Sequence, residues 1–233
     1  MGRSIKFLIV FMIMASQVSS GMNFVVNGGF ETLTNIQSLP NDYGYWGYDP
    51  VEIVTTSQGI TPFGGSQMLR FLYTYPTGPA GTIGCDLYQI INVTSFMEDI
   101  RNGNAVAKMS TVFNRVAGDN ETDSEFIIQI LAYSGSPNSF PSQFGSVNSL
   151  GFVRKTIITD NDISTWEPLS VELNLPENTD FVVVYIAAAE NVYNDTSNVE
   201  FDGHYADAVY LDIVPEPASL LLFGLGALML KRK

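Results

Sequence analysis

Nine short runs rich in β-branched and aromatic residues, at 51–55, 68–73, 87–93, 105–116, 126–133, 152–158, 169–175, 181–187 and 208–214, set the rhythm of this chain. Turn formers separate them, and no long helical stripe lies between. Such a chain can bury its apolar side chains only by pairing strands into sheets and packing the sheets face to face. One short helix is expected, because Ser95-Phe96-Met97-Glu98 has capping-box spacing and Gly103 would close the helix after Asn102. About nine or ten strands without internal repeats predict one all-β domain, an antiparallel β-sandwich whose spacing fits a jelly roll better than a propeller.

Both ends fall outside that rhythm. Arg3 and Lys6 precede an apolar run at 7–15, and Val18-Ser19-Ser20 offers small side chains for cleavage, which predicts a secretory signal peptide over 1–20. An uncleaved membrane helix would need a longer run than one interrupted at Ser16 and Gln17. At the other end, Val214-Pro215-Glu216-Pro217-Ala218-Ser219 leads into an apolar run from Leu220 to Leu230 and then Lys231-Arg232-Lys233. As a helix, uncharged residues 218–230 would span roughly 20 Å against a hydrocarbon core of about 30 Å, which is short for a permanent anchor. Pro215 and Pro217 fix φ and lack N–H donors, so the helix is expected after them, with the motif extended. The terminal cations favour the cytoplasm and so place residues before Val214 outside.

These three blocks resemble the PEP-CTERM sorting signal of bacterial surface proteins. The resemblance implies that an exosortase reads Pro215, Glu216 and Pro217, with a signal peptidase acting at the N-terminal end. It also implies a transient inner-membrane anchor, then delivery to the cell surface or the extracellular (biofilm) matrix of a bacterium with an outer envelope. The exported domain is then 21–213, and the sorting tail 214–233, with a transmembrane segment inside it.

Residues 21–213 hold six Lys and Arg against 23 Asp and Glu, a net charge near −17. The cations are scattered rather than clustered, which argues against nucleic acid as a partner. An acidic excess suits either solubility outside the cell or carboxylates that hold Ca²⁺. Cys85 is the only cysteine, so stability must come from an ordinary core rather than an intrachain disulfide. His204 is the only histidine and no Gly-x-Ser-x-Gly elbow is present, which leaves Ser and Cys triads and zinc sites without support. A glycosidase-type carboxylate pair stays open, because its separation is spatial. The acidic stretch Asp119-Asn120-Glu121-Thr122-Asp123-Ser124-Glu125 fails as a calcium loop, with Ser124 where Gly is needed and Ile130 where a bidentate Glu is needed. It is expected to be a polar hairpin turn. The sequons at Asn92, Asn120 and Asn194 carry little weight in a bacterial protein.

Asn23-Phe24-Val25-Val26-Asn27-Gly28-Gly29-Phe30-Glu31 and Tyr205-Ala206-Asp207-Ala208-Val209-Tyr210-Leu211 are similar to the opening and closing strands of galactose-binding-like jelly rolls, among them many carbohydrate-binding modules. The resemblance implies that fold over 23–214, with first and last strands side by side. It also implies a structural Ca²⁺ held by Glu31 and Asp207, with help from backbone carbonyls near Asn27. The plainer alternative makes these two solvated or capping carboxylates. For a ligand, Tyr43-Gly44-Tyr45-Trp46-Gly47-Tyr48-Asp49 offers ring faces beside polar groups, as sugar recognition requires. Tyr45 and Trp46 are candidate contacts, as is Tyr193 beside Asn194 in the loop 191–198, although Trp46 has a competing place in the core. The expected work is noncatalytic association with envelope or matrix polysaccharide. The alternatives are a structural matrix protein without a specific ligand and, behind it, a carbohydrate-active enzyme.

Overall fold

The computed structural model describes residues 21–32, 35–36, 38–72, 84–116, 124–190 and 203–215. The strands are β1 (Asn35–Ile36), β2 (Trp46–Tyr48), β3 (Val51–Val54), β4 (Met68–Phe71), β5 (Gly84–Asn92), β6 (Ala105–Arg115), β7 (Ser124–Tyr133), β8 (Gly151–Ile158), β9 (Glu167–Asn174), β10 (Phe181–Glu190) and β11 (His204–Pro215). They form two sheets, one of six strands in the order β1-β2-β5-β10-β7-β8 and one of five in the order β3-β4-β11-β6-β9. All pairings are antiparallel except β1 with β2. The chain is thus an all-β sandwich of the jelly-roll type, with each of the nine runs inside or overlapping a strand.

The main core fills the space between the sheets. Phe113 of the five-stranded sheet stacks on Phe126 of the six-stranded sheet with centroids 4.6 Å apart, and Phe71 also reaches Phe126. Around them lie Leu69, Leu87, Ile128, Val184, Ile186 and Leu211, all buried. In β10, Val182, Val184 and Ile186 belong to this core, whereas Phe181, Val183, Tyr185 and Ala187 belong to a second cluster on the opposite face. That face is covered by the β7–β8 connection, through Phe140 of a short helix α2 (Phe140–Gln143), and partly by Leu39 and Tyr43. A strand buried on both faces loses the alternation of a half-exposed one, and 181–189 accordingly has a nearly unbroken apolar sequence.

Three local expectations are corrected. The opening segment 23–31 is a bound turn and not a strand: Phe24 N–H donates to Leu211 O, Val209 N–H donates to Gly28 O, and Asn27 and Phe30 have positive φ. It does lie beside the last strand, fastened by the Asn23 side chain, which donates to Val209 O and accepts from Leu211 N–H. The capping box at Ser95 does not form. Instead, Asn92 Oδ1 accepts from the Thr94 N–H and hydroxyl, a 3₁₀ turn follows at Thr94–Phe96, and α1 (Met97–Arg101) runs on to Gly103 at φ +70°. Finally, β6 and β7 are not a hairpin, since β6 is in the five-stranded sheet and β7 in the six-stranded one. Residues 117–123, between them, lie outside the described residues.

Candidate functional site

The outer face of the six-stranded sheet carries a chemically varied surface. Register places Gly47, Tyr88, Tyr185, Gln129 and Arg154 in one row across five strands. The adjacent row holds Asp86, Ala187, Ile127 and Thr156. Tyr88 and Tyr185 stack at 4.7 Å and 23°. Tyr48, whose φ of +119° turns the chain at the end of β2, sets its ring edge-on to Tyr88 at 5.7 Å. Phe144, in the connection that follows α2, packs on both Tyr48 and Tyr88. Tyr48 and Phe144 are each 37% exposed, while Tyr88 and Tyr185 beneath them are buried. The result is an aromatic shelf whose upper rings face solvent and whose lower rings hold them in place.

Carboxylates border the shelf. The Tyr185 hydroxyl donates to Asp86 Oδ1 at 2.8 Å, and Asp86 N–H donates to Asp49 Oδ2 at 2.8 Å. Burial pushes the Asp49 carboxyl up to about 6 against the pull of the Asp86 N–H, and the charge of Asp86 adds to the rise. Burial raises Asp86 too, opposed by the Tyr185 hydroxyl and by Arg154. Burial and the Asp86 charge hold both Tyr88 and Tyr185 as neutral phenols. The site therefore offers neutral rings, hydroxyls, an amide at Gln129, two carboxylates and one guanidinium along a sheet surface.

Of the residues expected to bind ligand, Tyr45 is half-exposed on the loop entering β2. Trp46 is corrected: it is 2% exposed and packs on Phe30 at 5.6 Å, so its ring is part of the core and offers no stacking face. The alternation of β2 forces this, because Gly47, opposite Tyr88, takes the outer position. Tyr193 lies outside the described residues, as do Glu216 and Pro217 of the sorting motif, while Pro215 ends β11. Asp86, Tyr88, Tyr185 and Phe144 were missed by the sequence reading. Their signal is a lone Tyr inside an apolar strand and an Asp two residues before another Tyr, neither of which core packing calls for.

Glu31 and Asp207 come together on one loop, 63–67. Asp207 Oδ2 accepts from the N–H groups of Phe63 and Gly64, and its Oδ1 from that of Ala208. Glu31 accepts from the Ser66 N–H and hydroxyl and from the Gln67 N–H. These bonds lower the Glu31 pKa, the Ser66 hydroxyl foremost, whereas burial raises Asp207 and the Glu31 charge raises it further. Gly65, at φ +63°, gives the loop its turn, and a Cβ there would collide with the Glu31 carboxylate. Two hard oxygen donors that repel each other suit a cation such as Ca²⁺ in chemistry. No group of three or more His, Cys, Asp or Glu gathers among the described residues, so carbonyl oxygens would have to supply the rest.

A second pair of carboxylates lies at the shelf. Asp49 and Asp86 share a backbone hydrogen bond and a hydrophobic border, and Asp86 is engaged by Tyr185. The Asp86 N–H and the Tyr185 hydroxyl thereby tie both carboxylates to the sheet beside the shelf.

No sequence among the curated proteins matches the chain. Among solved structures, the fold is similar to a family 16 carbohydrate-binding module, with 16% identity and a TM-score of 0.41, covering 81% of this chain and 99% of that one. It is also similar to the C-terminal family 22 carbohydrate-binding module of Clostridium thermocellum Xyn10B, with 16% identity and a TM-score of 0.40, covering 70% and 82%. The enzymatically active domain of tailspike protein 4 of bacteriophage CBA120 aligns at 11% identity and a TM-score of 0.47 over 82% of this chain, which spans 21% of the tailspike chain. Residues 214–233 match the PEP-CTERM protein-sorting motif, so this β-sandwich belongs to an exported protein that carries a sorting tail.

Proposed function

We propose that the sandwich is a noncatalytic polysaccharide-binding domain and that the glycan lies across the outer face of the six-stranded sheet. The observation that carries this is the shelf itself: Tyr48 and Phe144 half-open to solvent, fixed from below by the stacked Tyr88 and Tyr185, with Asp86, Gln129 and Arg154 in register beside them. Pyranose C–H faces stack on rings while their hydroxyls bond to carboxylates and amides. Tyr45 would extend the contact at one margin. Rings held by other rings bind without ordering cost, so even a shallow surface can select a sugar chain.

Affinity electrophoresis of the domain through polysaccharide gels tests the reading, comparing wild type with Tyr48→Ala, Tyr45→Ala and Tyr193→Ala. Retardation by a neutral glycan is expected, reduced about tenfold or more in Tyr48→Ala at little cost in melting temperature. Retardation unchanged in Tyr48→Ala would move the site elsewhere. No retardation in any glycan would favour a structural matrix role. Weak single-site binding would still retain a protein displayed in many copies on a surface.

A further inference from the structure

The outer face of the five-stranded sheet differs between its two ends. At one end Tyr205 and Met68 are buried with Ile60, Val54 and Trp166 pack alongside, and the Tyr205 hydroxyl donates to Ser57 Oγ. Past the bulge in β11, two rows run across three strands. Register sets Tyr210, Ser110 and Ser170 in one row and Asp212, Lys108 and Glu172 in the next. The alternation that buries Met109, Val171 and Leu211 turns all six of these side chains outward. Lys108, Ser170 and Glu172 are exposed, and Ser110, Tyr210 and Asp212 partly so.

Unequal side-chain length makes this surface concave. Ser110 and Ser170 are short, so the sheet dips between Tyr210 on β11 and the Lys108–Glu172 ion pair, in which Nζ and Oε1 are 3.1 Å apart. The groove encloses about 200 Å³. That is less than the roughly 300–1,000 Å³ of pockets that enclose drug-sized ligands, so its size suits one sugar unit rather than a chain segment. The β11 wall is braced from behind: Gly21 lies so close that a Cβ on it would collide with the Asp212 carboxylate and the Tyr210 hydroxyl. Neither of those two side chains makes a hydrogen bond among the described residues, so both keep their bonding capacity for a ligand. Burial, and then the Asp212 charge, raise the Tyr210 pKa and keep its ring a neutral phenol.

The groove thus sets one aromatic ring beside two serine hydroxyls and a carboxylate, the mixture that a pyranose with one apolar face and several hydroxyls can use. Glu172 neutralises Lys108, which leaves the Asp212 charge in excess and favours a neutral sugar over an anionic one. The two sheets of a sandwich pack about 10 Å apart, so this groove and the aromatic shelf open on opposite sides of the molecule.

We propose that the groove is a second glycan site, taking one neutral sugar unit between Tyr210, Ser110, Ser170 and Asp212, and that the domain thereby ties two polysaccharide strands together. The bridging rests on the shelf being the first site. Weak sites suffice for this, because each strand is held by many copies of the domain at once.

The test uses the full-length protein, held as one copy per micelle of a detergent without a sugar headgroup, against neutral glucan, galactan and mannan as polymers and as short oligosaccharides. Calorimetric titration with the oligosaccharides counts the sites, and light scattering with the polymers reads bridging. Wild type is compared with Tyr48→Ala on the shelf, Tyr210→Ala in the groove, and Ser170→Arg, which fills the groove from an exposed position on the edge strand β9. Wild type should bind two oligosaccharides and each variant one, and bridging should fall several-fold in all three variants, with melting temperatures showing that they are folded. A single site lost only in Tyr48→Ala would overturn the groove and leave the shelf standing. Two sites that both persist in Tyr210→Ala and Ser170→Arg would put the second site elsewhere and overturn the groove as well. A single site lost in the groove variants alone would overturn the shelf, and the bridge with it. No binding in any glycan would overturn both sites.

Discussion

Asp49 holds its charge at a cost. Its carboxyl rises to about 6 chiefly through burial, whereas an unfolded Asp titrates near the ordinary value of 3.8. A raised folded pKa means that the folded state binds the proton more tightly. The contribution to stability is then complete below about pH 4 and is lost as pH climbs through about 6. Asp49→Asn should therefore stabilise the domain at pH 8, by about 1 kcal/mol after allowing for solvent screening of a half-exposed group, and change little at pH 4. Urea unfolding at the two pH values checks this, and an equal effect at both would reject the linkage. Asp207 invites the complementary experiment, because the nearby Glu31 charge opposes its ionisation. We propose Ca²⁺ as the partner of this pair. Melting in Ca²⁺ at a hundred times its dissociation constant should add about 2.7 kcal/mol, or about 5–10 °C, over melting with chelator, and Asp207→Asn should shrink that gap. Identical curves would leave the 63–67 amides as the only clasp.

At the scale of the element, β11 shows what a sequence pattern conveys and what it hides. Its apolar alternation was legible, and so was its place beside the N-terminal segment, because the Asn-Gly-Gly-Phe-Glu and Tyr-Ala-Asp motifs mark both partners. The bulge was not legible. Register shifts between Asp207 and Tyr210, with Ala208 at φ +51°, and the shift frees the Asp207 side chain to reach loop 63–67. A left-handed Ala carries strain that glycine would not. Ala208→Gly should thus raise stability by roughly 0.5 kcal/mol, the relief of strain being partly offset by the freer unfolded chain. A drop in the urea midpoint would show that the methyl group packs. The candidate site was legible in part for a related reason. Clustered rings at 43–48 drew attention to β2, yet period-two geometry sent Trp46 inward, and only the φ of +119° at Tyr48, which breaks the alternation, turns that ring out onto the shelf. The other half of the shelf, Tyr88 and Tyr185, joins strands about a hundred residues apart, and only sheet order brings those together.

For the whole molecule, charge and fold decide which polymers can approach. Residues 21–213 carry a net charge near −17, and their cations lie apart: Arg101 and Lys108 are taken up in ion pairs with Asp180 and Glu172, and Arg115 is buried with its guanidinium on Thr159 O. Arg154 faces the shelf from the edge strand β8, so the site itself is less acidic than the body around it. An anionic polysaccharide must cross the field of the whole domain to reach that place, whereas a neutral glycan meets no such barrier. Screening separates the two cases, because the Debye length falls from about 10 Å at 0.1 M salt to about 3 Å at 1 M. Retardation in a neutral gel should stay within about twofold between 0.05 and 0.5 M NaCl, since ring stacking involves no net charge. In an anionic gel, retardation should be absent at low salt and appear only as salt rises or Ca²⁺ bridges the carboxylates. Strong binding to an anionic polymer at low salt, weakening as salt is added, would mean that Arg154 dominates recognition and that the aromatic shelf is secondary.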